Sequence, residues 1–345
     1  MPEPGSPLAK LSFLTIVPFD RDDPAGGIER GLRLFELGES LGFDGGWIRT
    51  RHLQYGVSSP AAFLSAVSQH TSRLELGTAV IPLGWENPLR LAEDLATVDL
   101  LSGGRLQIGV SVGTPMHYGR VKNALYGELA DEQDFSYARV DKFVSLLRGD
   151  AVTSESGKEG VVEEYSERVE PHSAGLSERV LYGSASRRSA EWAGARGLGL
   201  LQSNITMAEG TMDFAEAQRE QIEAYRKAVP PGSSGRVAMG HVVLPIDSAT
   251  PRQRKRYEEY VRARTPRTAS PQEFPGGRMA LIKRDRLGTA EEIVAGLYED
   301  VAFRQVDEFF IELPFSFPQA DTEQLLHDLA TEVGPRLGWT PANAR

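Results

Sequence analysis

The chain has 345 residues, 40% hydrophobic and 25% charged, with 38 Lys plus Arg against 48 Asp plus Glu and a net charge of −10. An acidic chain of this kind lacks the clustered cations that nucleic-acid phosphates or an anionic membrane surface require. The absence of cysteine excludes disulfides, thiolate catalysis and Cys-ligated metals. No run is long and apolar enough to span a bilayer, and the start MPEPGSPLAK carries no apolar signal core, so a cytoplasmic enzyme is expected.

Short apolar runs alternate with amphipathic stretches along the chain. Leu11–Val17 reads as a strand, and Gly27–Leu41 as a helix carrying Ile28, Leu32, Phe35 and Leu41 at roughly helical spacing. Phe43–Ile48 is a second strand. Ser59–His70 is a second helix, opened by a Ser-Pro cap signal. Leu74–Ile81 and Leu106–Val112 are strands flanking a helix over Pro88–Leu101, and Phe135–Leu147 is a further helix. Gly149–Gly175 is polar and Gly/Ser-rich with two short β-like pieces, an excursion more than a linker. Alternation then resumes: strand Val180–Tyr182, helix Ser186–Arg196, strand Leu198–Leu201, helix Phe214–Val229, strand Arg236–Leu244. Pro251–Pro275 is charged and Pro-bearing, read as a helix followed by a loop. Helix Thr289–Phe303, strand Glu308–Leu313 and helix Thr322–Leu337 close the chain.

Eight strands, most followed by a helix, imply parallel neighbours joined by crossovers. Their most economical closure is an α/β (β/α)8 TIM barrel over residues 1–345, with insertions after strands 4 and 7, the excursions being 149–175 and 251–277. An open doubly wound sheet is the alternative. Against it, IVPFDRDD follows the first strand where a Gly-rich dinucleotide loop belongs.

In such a barrel chemistry lies at the C-terminal strand ends. After the second strand, WIRTRHLQYG places Arg49, Arg51, His52 and Tyr55 at the mouth, either a solvated loop or a polar rim in which His52 handles a proton. After the third, Thr78, Ala79 and Val80 are slim enough for a flat ring to approach, though ordinary core packing explains them equally. Gly109, Ser111 and Gly113 share one side of the fourth strand by alternation, and Arg105, preceding it, reads as structural. The fifth strand runs into Gly183-Ser184-Ala185-Ser186. There helix-start N–H groups, the Ser186 and Ser189 hydroxyls and Arg187 form either an anion site or a plain Ser cap. The six histidines are dispersed with no i,i+4 pair, so no metal site is expected.

Four segments in order, FDGGWIRTRH, TSRLELGTAVIPLGWENPLRLAEDLATVDLLSGGRLQIGVSVG, GSASRRSAEWAGARGLGLL and LGTAEEIVAGLYED with VDEFFIELPF and GPRLGW, resemble the bacterial luciferase-like flavin monooxygenase family. The resemblance implies a barrel holding reduced FMN (FMNH2) at its C-terminal mouth, a separate flavin reductase as supplier, and oxidation of a small organic substrate by O2 through a C4a-peroxyflavin. It also implies a homodimer. It assigns cofactor contacts to Thr78, Ala79, Ser111, Ser186 and Ser189, joined by Gly183, Ser184 and Arg187 of the anion turn. It marks Ala79–Val80 as a step that relatives make cis without proline. The family's Glu-His-His triplet stands here as Thr50-Arg51-His52, so Arg51 and His52 are the catalytic candidates. A guanidinium cannot shuttle protons near neutrality, but it can hold a peroxide anion or an acidic substrate. Val112 occupies the slot of a phosphate-holding arginine, leaving Arg187 or Arg188 to substitute. Thr114–Gln133 and Arg252–Gly277 are candidate lids. The competing functions are an F420-dependent hydride-transfer oxidoreductase, a non-catalytic flavin-binding subunit, and a sugar-phosphate barrel enzyme, for which Glu312 is one carboxylate without an evident mate.

Overall fold

A computed structural model describes residues 7–159, 161–274 and 277–345. Eight strands close a ring: β1 (Lys10–Thr15), β2 (Gly45–Ile48), β3 (Glu75–Pro82), β4 (Leu106–Ser111), β5 (Val180–Gly183), β6 (Gly199–Gln202), β7 (Val237–His241) and β8 (Glu308–Glu312). Every neighbouring pair is parallel, and β8 returns to β1 with Leu11 opposite Phe309. The barrel expected from the alternation is therefore present, and the open sheet is not.

The helices start where short polar residues end the strand exits. Asp23, Ser59 and Asn87 cap α1 (Pro24–Ser40), α2 (Pro60–His70) and α3 (Pro88–Ser102), each with proline in the first turn, where no intrahelical N–H bond is lost. Gly103 ends α3 in the left-handed conformation (φ 68°). Arg105, just before β4, donates to the Ser102, Leu74, Ser68 and Thr71 carbonyls and so ties α2, α3 and β3 together below the barrel.

Inside the ring, Leu14, Trp47, Ala79, Leu181, Leu201, Ala238 and Phe310 form their own cluster, separate from the larger core between strands and helices. The Trp47 and Phe310 rings stack with centroids 5.8 Å apart. They fit because two facing positions lack a side chain: a Cβ on Gly77 would lie 2.1 Å from the Trp47 ring, and one on Gly240 would lie 1.9 Å from Phe310. Below this stack the N-terminal end is plugged by charge. Glu308, fully buried, accepts from Ser12 Oγ (2.6 Å) and Trp47 Nε1 (3.0 Å) and pairs with Arg236, which also donates to Gln107 (2.6 Å). Burial alone would raise the Glu308 pKa, but Arg236 and Ser12 outweigh it and hold it below the usual carboxylate value.

The segment Thr114–Gln133, a candidate lid for which no helix was expected, folds as helix α4 (Tyr118–Tyr126) and a 3-10 turn, pinned by Tyr126 Oη donating to the Gly84 carbonyl (2.7 Å). Its polar composition hid this, since the anchoring partners lie on another strand exit. After α5 (Tyr137–Arg148), the first excursion carries the two short strands expected, Gly157–Glu159 and Glu163–Tyr165, paired antiparallel. Two helices follow β5 and β6: α6 (Arg187–Ala195) and α7 (Phe214–Ala228). The seventh strand is interrupted at Val242, and Val243–Pro245 pairs instead with Arg286–Gly288. The second excursion is mostly an 18-residue helix, α8 (Pro251–Thr268), opened by a Thr250–Gln253 capping box. The loop expected at its end lies partly outside the described residues, at 275–276. Gln272–Phe274 and Arg278–Ile282 form a hairpin whose second strand pairs with Ile205–Met207, beyond β6. Helices α9 (Ala290–Glu299) and α10 (Gln319–Asp328) flank β8. Among the described residues no helix is long and apolar enough to cross a membrane.

Candidate active site

The strand order sets the site. β2, β3, β4 and β5 are consecutive around the ring. The residues singled out from the sequence therefore share one contiguous half of the C-terminal rim.

At the β3 exit the ladder with β4 shifts register between Thr78 and Ile81, and the Ala79–Val80 peptide is cis, as the resemblance implied. The Thr78 hydroxyl accepts from Gly109 N–H and donates to the Gly109 carbonyl, both at 2.9 Å, so it is spent on closing that irregularity. The carbonyls of the two residues at the cis step are held from just beyond β2: Thr50 Oγ1 donates to Val80 O (2.7 Å) and Arg49 Nε to Ala79 O (3.4 Å). Ser111 ends β4 opposite Pro82, and Gly183 ends β5, where a Cβ would lie 2.8 Å from Val80 Cγ1. Val80 thus stands between β2 and β5 as a partly buried apolar step against the interior cluster.

The turn after β5 has the form of an anion cradle. Ser184, Ser186 and Ser189 bring their hydroxyls together, Ser189 Oγ lying 2.7 Å from Ser184 Oγ and 2.8 Å from Ser186 Oγ. Ser186 also caps α6 by accepting from Ser189 N–H. The Arg187 N–H is taken by an internal anion, Glu209 Oε2 at 2.6 Å, from the loop beyond Ile205–Met207. No bond to the Ser186 or Arg188 N–H occurs among the described residues. Arg187 and Arg188 are exposed beside them. The hydroxyls, the two open amides and the helix start suit a phosphate, which would displace Glu209 from Arg187 N–H and draw the Ser184 and Ser189 hydroxyls from the Ser186 carbonyl to which they donate (3.0 and 2.9 Å).

Across the rim, the segment after β2 is fixed by Arg51 N–H to Val57 O (3.1 Å) and Val57 N–H to Ile16 O (3.0 Å). Arg49 lies 3.1 Å from Glu312, the buried carboxylate ending β8. Glu312 is thus paired with a cation from just beyond β2, not with a second carboxylate. Arg51 lies over the Phe315 ring, 5.6 Å from its centroid. His52 stacks on Trp85 at 4.3 Å and 8°, and its Nε2 is buried with no hydrogen-bond partner among the described residues. Burial lowers its pKa below the usual histidine value, so the ring is neutral at pH 7. Beside Trp85, burial and then Asp94 push the Glu86 carboxyl up to about 7, against the pull of Arg139. Trp85, Glu209 and the roles of Arg49 and Thr50 escaped the sequence reading; Arg49 carried a signal as a cation at a strand end, and Thr50 as the first position of the altered triplet.

A family model described as luciferase-like monooxygenase matches residues 11–305. An FMNH2-dependent dimethylsulfone monooxygenase of Pseudomonas fluorescens is 32% identical over 127 residues, covering 36% of this chain and 34% of that one. An F420-dependent glucose-6-phosphate dehydrogenase of Amycolatopsis mediterranei is 30% identical over 116 residues, covering 32% and 34%. The matches thus span about a third of these relatives' length. Among solved structures, the monooxygenase RslO1 of Streptomyces bottropensis superposes with a TM-score of 0.71 at 18% identity, covering 94% of this chain and 99% of that one. That likeness speaks to the fold.

Proposed function

Given that the chain belongs to the luciferase-like monooxygenase family, we propose that it binds reduced FMN at the C-terminal mouth and uses O2, adding at the flavin C4a position, to oxidise a small organic substrate. The observation carrying this reading is the meeting of the Val80 step of β3 with the Ser184–Ser189 turn after β5, across the intervening β4, where a Cβ on Gly183 would lie 2.8 Å from Val80 Cγ1. One offers a flat apolar seat and the other hydroxyls and open amides for a phosphate.

In this reading Gly183, Ser184, Ser186, Ser189 and the backbone of Arg187 hold the phosphate. Thr78, Ala79 and Ser111 shape the wall against the ring, and Arg51 and His52 face the substrate. Bound reduced flavin supplies two electrons, so that one oxygen atom enters the substrate and the other leaves as water. The chain's own part is to seat, orient and shield. Arg49 and Thr50 fix the Ala79 and Val80 carbonyls of the step that would seat the ring, and the Trp85–His52 stack would wall the β2–β3 side from water. Neutral His52 can pass or accept a proton at Nε2.

Equilibrium dialysis against reduced FMN and against F420, followed by oxygen uptake over a panel of small organic substrates, tests the proposal. Retention of FMN with substrate-dependent oxygen uptake is expected. Retention of F420 alone points to hydride transfer, and flavin binding without uptake above the free-flavin rate points to a non-catalytic carrier.

A further inference from the structure

The charges at the mouth do not cancel. Arg49 is neutralised by Glu312, and Arg264 of α8 by a two-pronged contact with Asp285 (2.6 and 3.1 Å). Arg51 is left over. Its guanidinium is partly buried, has no ion pair or side-chain hydrogen bond among the described residues, and lies over the face of Phe315. It also sits next to a second cation, Arg49. Burial and Arg49 together pull its pKa down to about 10, with Glu312 opposing. A partly desolvated guanidinium with no protein counter-ion, set beside a second cation, is stabilised by an anion that reaches it. The adjacent residue adds an unmatched polar atom, for His52 Nε2 is buried with no hydrogen-bond partner among the described residues. Around the two, Trp85 and Phe315 give flat apolar walls, and Leu53 and Tyr55 stand exposed on the same loop.

We infer that the substrate is an apolar or aromatic molecule carrying one acidic oxygen group, a carboxylate or an equivalent oxyanion, which Arg51 binds while His52 Nε2 meets a neighbouring polar atom. This inference rests on the mouth being the reaction site, as proposed above, and makes Arg51 a specificity-determining residue. The cofactor phosphate is not its partner, since the serine turn lies three strands away around the ring. The selectivity follows from the counter-ion that the partly buried guanidinium lacks. A neutral isostere of the same shape strands the guanidinium, whereas the acid completes it.

The test uses 2-naphthoate and its neutral counterpart 2-naphthamide in calorimetric titrations of the full chain, wild type beside Arg51→Gln and Arg51→Lys. FMN affinity and thermal melting are recorded for each. Wild type is expected to bind naphthoate about tenfold or more tighter than naphthamide. Arg51→Gln should bring that ratio to about one, and Arg51→Lys should retain part of it, with FMN affinity unchanged in both. No preference in wild type, binding of neither probe, or a preference surviving in Arg51→Gln overturns the inference. Failure of wild type to bind FMN instead undermines the flavin reading, a separate result from the naphthoate ratio.

Discussion

Glu209 offers the sharpest perturbation. Its carboxylate accepts from Arg187 N–H at 2.6 Å, at the start of the helix proposed to receive the cofactor phosphate. Two anions then compete for one helix terminus. An exposed carboxylate at such a terminus is worth about 0.3–1 kcal/mol. The repulsion between it and a phosphate seated a few ångströms away adds about 1 kcal/mol in a water-like dielectric. Removing the charge should therefore favour phosphate by about 1–2 kcal/mol, or roughly 5- to 30-fold in Kd. Glu209→Gln isolates the charge, and Glu209→Ala frees the amide as well. Titrating each with FMN and with riboflavin, which lacks the phosphate, supplies the control. FMN should tighten in both variants, riboflavin should not change, and the gain should shrink as salt is raised. Equal tightening for riboflavin, or unchanged FMN affinity, would refute the assignment of this turn to the phosphate. The loop bearing Glu209 follows Ile205–Met207, which pairs with the hairpin strand Arg278–Ile282. Phosphate binding should therefore also raise amide exchange in that hairpin.

Three further outcomes follow from the packing and the buried charges. Gly240→Ala drives a methyl into the Phe310 ring and should cost about 1–3 kcal/mol, read as a fall of several degrees in Tm; an unchanged Tm contradicts the account of the barrel centre. Glu308 has a folded pKa below its ordinary 4.5, so its stabilisation is present above that value and is lost as pH falls through the folded pKa. Glu308→Gln should thus be less stable than wild type at pH 7, with the gap narrowing on acidification below about 4.5; a gap independent of pH would count against the Arg236 pairing. Glu86 has the opposite sign: its pKa is raised to about 7, so the folded state loses stability as pH rises from 4.5 through 7. Glu86→Gln should melt higher than wild type at pH 8 and alike at pH 4, as seen by calorimetry at the two pH values.

What the sequence disclosed and what it hid follow a physical division. The barrel was legible because the strand runs are short and apolar and several helices begin at a local signal, such as Ser59-Pro60 or Asn87-Pro88, that acts over two or three residues. The Ala79–Val80 step and the serine turn were legible because resemblance and helix-start chemistry converge on contiguous residues. The rest of the site arises from contacts between distant positions. Glu209 reaches a helix 22 residues earlier in the chain, and Arg49 is neutralised by Glu312 from the last strand. No local pattern encodes either. Thr78 is a milder case. Its small side chain was read for the space it leaves, but its hydroxyl is consumed by Gly109 across the register shift, a feature visible only once β3 and β4 are aligned.

Diffraction from crystals grown with FMN tests the central claim most directly. The account predicts the phosphate against the Ser186 and Ser189 hydroxyls and the ring face against Val80, with Glu209 swung away from Arg187. A phosphate at the Arg236–Glu308 end of the ring, or a turn after β5 unchanged with Glu209 still in place, would contradict it.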